Sequence, residues 1–360
     1  MAATLDDLLK KMVELDASDL HLKVGSPPVF RIDGELHPTS LGVLVPADTD
    51  SYAHSIFTQK AAKDFRDGNE SDFAYGKQEL GRFRVNVFRQ RGSTSLVLRR
   101  VLPVTHTFDD LGLPGSLAKL VEEKRGMILV TGPTGSGKTT TLAAMINHIN
   151  ANRRANIITI EDPIEVLHSD DQSLIAQREI GVDTVDYFEA VKRAMRQDPD
   201  VLLIGEIRDP QTVRAALQAA ETGHLVLSSM HTIDATETVN RIVDFFPPYQ
   251  QKQVRLQLAG VLRGVVSQRL LERSDDRGRV AAVEVLTVNA RVFDRIIDEN
   301  QTHTLADVIR ESEFYGMQSF DESILRLYRA GTITFETAVG NASNPHDFRV
   351  KVDQLGLKVS

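Results

Sequence analysis

The sequence predicts an α/β protein with a parallel-sheet core, a smaller N-terminal α+β domain and a helical C-terminal part. Three observations carry this prediction. From Gly126 onward, short apolar runs alternate with helical patterns, the rhythm of parallel strands joined by crossover helices. Before Pro103 the rhythm is mixed, one amphipathic helix followed by segments that alternate at period two. After Asp234 the apolar residues recur mainly at helical spacing. A length of 360 residues exceeds one ordinary domain, and 41% hydrophobic with 26% charged residues is a globular composition.

Taken in order, residues 1–104 form the first domain. Leu5, Leu8, Leu9, Met12 and Val13 recur at helical spacing, so a helix ends before Ser18. Ser18 to Val24 and Val29 to His37 read as strands, the second holding Asp33-Gly34, a dipeptide suited to a tight hairpin. A helical stretch covers Asp50 to Asp67, and then Phe83, Val85 and Val87 alternate with Arg82, Arg84 and Asn86. Residues 105–120, with Gly112, Pro114 and Gly115, interrupt every pattern and read as a linker. Residues 121–290 form the core, with strands at Met127 to Thr131, Ile157 to Ile160, Val201 to Ile204 and Leu225 to Ser229. Helices starting near Lys138, Tyr187 and Gln211 lie between them. Val254, Leu258, Val261, Leu262, Val265 and Leu270 read as one helical stripe. Residues 291–360 form the helical C-terminal part, where Phe320, Ile324, Leu325 and Tyr328 make another stripe.

Composition excludes several functions. A net charge of −8 gives no global positive field for nucleic acid or an anionic membrane. Zero cysteines exclude a disulfide framework, a thiolate zinc site, an iron–sulfur cluster and a cysteine nucleophile. The acidic first 20 residues lack the pattern of a signal peptide, and no stretch approaches the ~20 apolar residues of a membrane span. A cytoplasmic protein is expected.

Each core strand runs into a polar cluster, and ligands of open α/β sheets collect at the carboxyl ends of the strands. After the first strand, Gly132-Pro-Thr-Gly-Ser-Gly-Lys138-Thr139 fits G-x-x-x-x-G-K-[ST] between a strand and a helix. Its glycines let backbone N–H groups turn toward phosphates, Lys138 reaches the β and γ oxygens, and Thr139 offers a hydroxyl to Mg²⁺. The expected ligand is ATP with Mg²⁺, on Gly132, Pro133, Thr134, Gly135, Ser136, Gly137, Lys138, Thr139 and Thr140. After the third strand, Gly205-Glu206-Ile207-Arg208-Asp209 supplies a carboxylate as in a Walker B element, so Glu206 joins Thr139 at the metal, through water. The second strand ends in Glu161-Asp162-Pro163-Ile164-Glu165, where one carboxylate can orient or deprotonate the attacking water. Spacing alone does not choose between Glu161 and Glu165. After the fourth strand, His231 and Thr232 occupy the place of a γ-phosphate sensor, while His224 precedes the strand and belongs at its opposite end.

Between Ser71 and Val101, seven basic residues (Lys77, Arg82, Arg84, Arg89, Arg91, Arg99, Arg100) face two acidic ones (Asp72, Glu79) on an otherwise acidic chain. Arg82 and Arg84 share a strand face by period two. That face is either merely solvated or completes an ATP site, in the same subunit or a neighbour, as arginine fingers.

Together these residues resemble the secretion ATPase superfamily of type II secretion and type IV pili, most closely its pilus-retraction, or twitching-motility, branch. The resemblance spans nearly the whole chain. It includes Ala17-Ser-Asp-Leu-His-Leu22, Gly81-Arg-Phe-Arg-Val-Asn86, the phosphate loop, Ile160-Glu-Asp-Pro-Ile-Glu165, Gly205-Glu-Ile-Arg-Asp209, Ala220-Glu-Thr-Gly-His224 and Gly316-Met-Gln318. It implies a PAS-like N-terminal domain joined to a RecA-like core, and six copies in a ring with ATP between the two domains. It also implies Glu165 as catalytic glutamate, Glu206 as Walker B carboxylate and His224 with His231 as a paired His box. Implied partners are an inner-membrane platform protein of the pilus and a second motor ATPase, with peripheral membrane association through them and no stable nucleic acid. Assembly ATPases of the superfamily are typically longer and often carry a tetracysteine zinc module, which this chain lacks. At Ala290 to Asp298 the chain keeps only part of the retraction branch's pattern, which leaves retraction and accessory roles both open. A RecA-like nucleic-acid translocase is the alternative from another class.

Overall fold

The computed structural model describes residues 3–103, 106–275 and 277–357. They form two compact units. One runs to Pro103 and takes in Glu165–Leu167, and the other comprises the rest.

The first unit begins with α1 (Leu5–Glu14), started by Thr4, whose hydroxyl accepts from Asp7 N while the Asp7 carboxylate accepts from Thr4 N. Strands β1 (Asp19–Lys23), β2 (Val29–Ile32) and β3 (Glu35–Pro38) follow. The β2–β3 turn places Asp33 at φ 49° and Gly34 at φ 86°, the two left-handed residues that the expected hairpin requires. The stretch expected as one helix over 50–67 is two, α2 (Pro46–Ile56) and α3 (Gln59–Gly68). The break falls at Phe57, which is extended at ψ 131°, and the Thr58 hydroxyl then caps α3 by accepting from Ala61 N. Strands β4 (Glu70–Lys77), β5 (Gly81–Gln90) and β6 (Ser93–Val101) complete an antiparallel sheet ordered β3-β2-β1-β6-β5-β4. Phe83, Val85 and Val87 are buried with α1, α2 and Phe65 of α3, so Arg82 and Arg84 project from the other face.

In the second unit α4 (Ser116–Val121) leads into β7 (Gly126–Thr131), α5 (Lys138–Asn152), β8 (Asn156–Glu161), β9 (Leu174–Glu179) and α6 (Tyr187–Ala194). Then come β10 (Val201–Ile204), α7 (Pro210–Glu221), β11 (Leu225–Met230), α8 (Ala235–Asp244), α9 (Pro248–Val261), β12 (Leu262–Glu272) and β13 (Arg279–Thr287). Helices α10 (Ala290–Ile297), α11 (Leu305–Glu311), α12 (Phe320–Arg329), α13 (Phe335–Asn341) and α14 (Pro345–Gln354) end the chain. The sheet order is β13-β12-β7-β11-β10-β8-β9, parallel except for β13. Its central strands β7, β11 and β10 are buried at every position because both faces are covered. Met127, Leu129, Ile158, Ile160, Leu202 and Ile204 point into one core with α6 to α9, while Ile128, Val130, Ile157, Val201 and Leu203 point into the other with α5.

Of the segment 105–120, Thr105 lies outside the described residues, whereas Phe108, Leu113, Leu117 and Leu120 are buried in the core beside α5. The stripe read as helix over Val254 to Leu270 is corrected. The helix α9 ends at Val261, Leu262 turns extended at ψ 134°, and the rest is β12, paired with β7 on one side and β13 on the other. Leu262, Val265, Val266 and Leu270 sit at spacings that suit a helical stripe, while in the strand both faces, Ser267 and Gln268 included, are buried, so the apolar pattern alone does not separate the two.

Candidate functional site

The carboxyl ends of β7, β11 and β10 bring the second unit's polar clusters to one edge of the sheet. The loop from Gly132 to Gly137 joins β7 to α5 and uses left-handed backbone at Gly132 (φ 144°), Gly135 (φ 78°) and Gly137 (φ 91°). At Gly132 the requirement is also steric, because a Cβ there would sit 2.4 Å from Gln268 O and 2.6 Å from Ser136 Oγ. The first N–H groups of α5 are thereby aimed out of the loop as an anion site. Lys138 folds back, its Nζ donating to Gly132 O at 2.8 Å and Pro133 O at 3.0 Å. Burial lowers its pKa, and the Glu206 carboxylate opposes that shift.

Thr134, Gly135 and Thr139 are exposed along the loop, and Thr140 is half-buried. Ser136 Oγ is buried without a hydrogen-bond partner. A cradle of outward N–H groups, a lysine held only by carbonyls and an orphaned hydroxyl fits a nucleotide's phosphates. Thr139 and Glu206 offer oxygen donors suited to Mg²⁺. No cluster of three His, Cys, Asp or Glu residues able to hold a metal by itself occurs among the described residues. A metal shared with phosphates and water needs none.

Glu206 follows β10 and is shared, Oε1 lying 2.9 Å from His231 Nε2 and Oε2 accepting from Arg208 Nη2 at 2.6 Å. The carboxylate in turn raises the pKa of Arg208. Gly205 beside it is packed tightly, for a Cβ would lie 2.9 Å from Tyr187 Oη and 3.2 Å from Ile160 O. Burial raises the Tyr187 pKa, and Asp162, Glu206 and Glu161 raise it further. The structure therefore places Lys138, Glu206 and His231 together and adds Arg208 and Tyr187. Arg208 was visible in its motif, whereas Tyr187 carried no local signal beyond opening a helix.

The two candidate bases differ in surroundings. Glu161 is 8% exposed, and its Oε1 accepts from Thr159 Oγ1 at 2.6 Å and Gln177 Nε2 at 3.0 Å. Glu165 belongs to the first unit, where Leu167 N donates to Leu102 O, and it is half exposed with Oε1 3.5 Å from Arg84 Nη1. Arg82 lies on the same face of β5 and is half-buried. His224 and His231 are not brought together. Strand β11 separates them by ~20 Å, and His224 Nδ1 bonds Ala219 O at 2.9 Å while its carbonyl accepts from Gly126 N. Thr232 is buried, its hydroxyl 2.6 Å from that of Thr238 on α8.

The model of the type II/IV secretion system protein family matches residues 1–336. The chain is 38% identical over 347 residues to the type IV pilus ATPase PilU of Pseudomonas aeruginosa, covering 96% of this chain and 91% of that one. It is 38% identical over 344 residues to the pilus retraction ATPase PilT of the same organism, covering 96% and 99%. To a twitching motility protein of Neisseria gonorrhoeae it is 41% identical over 317 residues, covering 88% and 84%. Among solved structures, the pilus retraction motor PilT with bound ADP superposes with a TM-score of 0.87 at 42% identity, over 96% of this chain and 98% of that one. The ATPase DotB of Legionella pneumophila shares the fold, with a TM-score of 0.81 at 24% identity, over 98% and 97%.

Proposed function

The chain belongs to the type II/IV secretion system protein family, and from that premise we propose that it is a Mg²⁺-dependent ATPase whose six-membered ring drives type IV pilus retraction. The observation that carries the reading is the meeting of Lys138, Glu206 and His231 at the carboxyl edge of the sheet, beside a loop shaped for phosphates. The likeness to PilT over nearly the full length of both chains supports it.

In this mechanism ATP lays its phosphates on the N–H groups that open α5, and Lys138 leaves the carbonyls of Gly132 and Pro133 for the β and γ oxygens. Thr139 and Glu206 would hold Mg²⁺, which neutralises charge on the β and γ oxygens. His231, now bonded to Glu206, senses the γ-phosphate. Glu165 is the better base, because Glu161 is buried and held by two donors whereas Glu165 has one loose ion pair. Arg84, and Arg82 on the same strand face, release Glu165 and stabilise the charge that develops on the transferred phosphoryl group. The ring works from the cytoplasmic side on a platform protein in the inner membrane, through which it associates with that membrane.

A second reading, an accessory motor acting beside another ATPase, is favoured by equal identity to PilU and by the altered sequence of α10. The test is ATP turnover with mass in solution, with and without Mg²⁺ and single-stranded DNA. A six-copy ring that hydrolyses ATP without DNA is expected. A DNA-dependent ATPase would move the protein to the translocases, and a chain that binds ATP without turnover would make it a nucleotide switch.

A further inference from the structure

Three side chains stand in one register row across the edge of the second unit's sheet: Thr131 on β7 opposite Ser267 on β12, and Ser267 opposite Glu284 on β13. Thr131 and Ser267 are fully buried and Glu284 is 8% exposed. They stand in line. Thr131 Oγ1 donates to Ser267 Oγ at 3.0 Å, and the Ser267 side chain, paired directly with Glu284 across β12 and β13, helps hold the Glu284 pKa down. Glu284 Oε1 also accepts from Ala235 N at 2.9 Å, the first residue of α8.

Both ends of this line meet the site. Thr131 precedes Gly132, whose N–H donates to Met230 O, one residue before His231. At the other end, Ala235 follows the segment that carries His231 and Thr232. The Thr238 hydroxyl donates to Asp234 O at 2.6 Å and accepts from Thr232. A carboxylate with no place in the phosphate chemistry thus ties the root of the phosphate loop to the start of the helix behind His231.

We infer that Glu284 is a positioning residue for ATP hydrolysis, holding the His231–Thr232 segment in register with the phosphate loop through Ser267 and Ala235. The inference rests on the hydrolytic reading above. Its charge state matters because the ionised carboxylate only accepts, from Ala235 N and from the Ser267 side, whereas the protonated one carries an O–H donor and accepts more weakly from both. Burial, followed by the neighbouring Asp234 carboxylate, pushes Glu284 up to about 7 against the pull of Ala235 N, Arg269 and Ser267. From β12, Arg269 faces it, with its guanidinium 4.1 Å over the Phe320 ring of α12. From the cap of α8 comes Asp234, and α12 brings Phe320 and the Ser323 hydroxyl to the same strand.

The experiment compares the full chain with Glu284→Gln and Ser267→Ala. It measures kcat and KM for ATP from about pH 5.5 to about pH 9, affinity for a fluorescent ADP and melting temperature. In the unsubstituted chain kcat is expected to rise along a limb centred near pH 7. In Glu284→Gln that limb disappears and kcat at high pH falls roughly tenfold, while KM and ADP affinity stay within about twofold. In Ser267→Ala, loss of a donor to the ionised form moves the limb to higher pH. An unchanged limb in both variants overturns the inference and assigns the titration elsewhere. Parallel losses of kcat, ADP affinity and melting temperature with the limb intact overturn it too, as simple packing. Should Glu284→Gln not fold, the Ser267→Ala limb decides alone. Absence of turnover in the unsubstituted chain overturns the hydrolytic reading and this inference with it, an outcome distinct from the others.

Discussion

Replacing Gly132 with alanine isolates what holds the phosphate loop in shape. The new Cβ meets Gln268 O at 2.4 Å and Ser136 Oγ at 2.6 Å, on a backbone at φ 144°. That backbone conformation costs an L-residue of order 1–3 kcal/mol, and the overpacking costs a further ~1–3 kcal/mol because the nearer atom is a carbonyl of β12 that cannot swing aside. Gly135 is the control. It is also left-handed, at φ 78°, yet nothing lies within 4 Å of its Cβ position, so alanine there costs only the backbone term. In a unit this large each kcal/mol moves the melting temperature by roughly 2–4 °C. Thermal unfolding followed by circular dichroism should therefore drop by about 10 °C for Gly132→Ala and by a few degrees for Gly135→Ala. Adding Ser136→Gly to Gly132→Ala should recover part of the loss, while Gln268→Ala should recover none, since the Gln268 clash is with its backbone. Equal, small shifts for the two glycines would refute the close approach of β12 to the loop.

Lys138→Ala should abolish ATP hydrolysis, and turnover near the unsubstituted rate would remove the phosphate-loop assignment. Glu165→Gln should bind ATP without cleaving it, whereas an active variant would return the role of base to Glu161. Arg84→Ala should lose cleavage and regain it on mixing with Lys138→Ala if an arginine serves a neighbour's site; unimpaired cleavage would leave the arginines as a solvated face. Gly205→Ala should cost ~1–3 kcal/mol against Tyr187 Oη and be partly rescued by Tyr187→Phe, read by urea denaturation. Glu284 carries a stability term with a definite sign. Its folded-state pKa is raised from 4.5 to about 7, so the term is present below pH 4.5 and lost as pH rises through about 7. Glu284→Gln should gain about 3 kcal/mol relative to the unsubstituted chain between those values, and denaturation curves with a pH-independent difference would contradict this.

Much of the second unit was legible because strand and chemistry fall next to each other in the chain. Ile128 and Val130 serve one face and Met127 and Leu129 the other, so β7 reads as a continuous apolar run that stops where the glycines begin. The same logic exposed Glu206 after β10 and His231 after β11. Strand β9 was illegible for the opposite reason. It lies at the sheet edge, its Leu174 is exposed, and its residues Gln177 to Glu179 carry the polarity of a loop. The choice between Glu161 and Glu165 was also beyond local spacing, since it turns on Gln177, which lies far from Glu161 in sequence, and on Arg84 in the first unit.

The least legible segment bears most directly on the loop. From Leu262 to Leu271 the apolar residues Leu262, Val265, Val266, Leu270 and Leu271 fall at spacings that satisfy helix and buried strand alike, and only pairing with β7 and β13 selects the strand. That pairing puts Gln268 O against Gly132, Gln268 Nε2 on the Thr141 hydroxyl at 2.9 Å, and Ser267 on Thr131. Gly264 lets the same strand pack closely on α4 and β13, since a Cβ there would lie 2.8 Å from both Leu120 Cδ2 and Leu286 O. The phosphate loop therefore takes its sequence from one segment and its underside from a strand more than a hundred residues later. A motif search finds the first and has no access to the second. Substitutions on β12 should accordingly change turnover while leaving every motif residue in place.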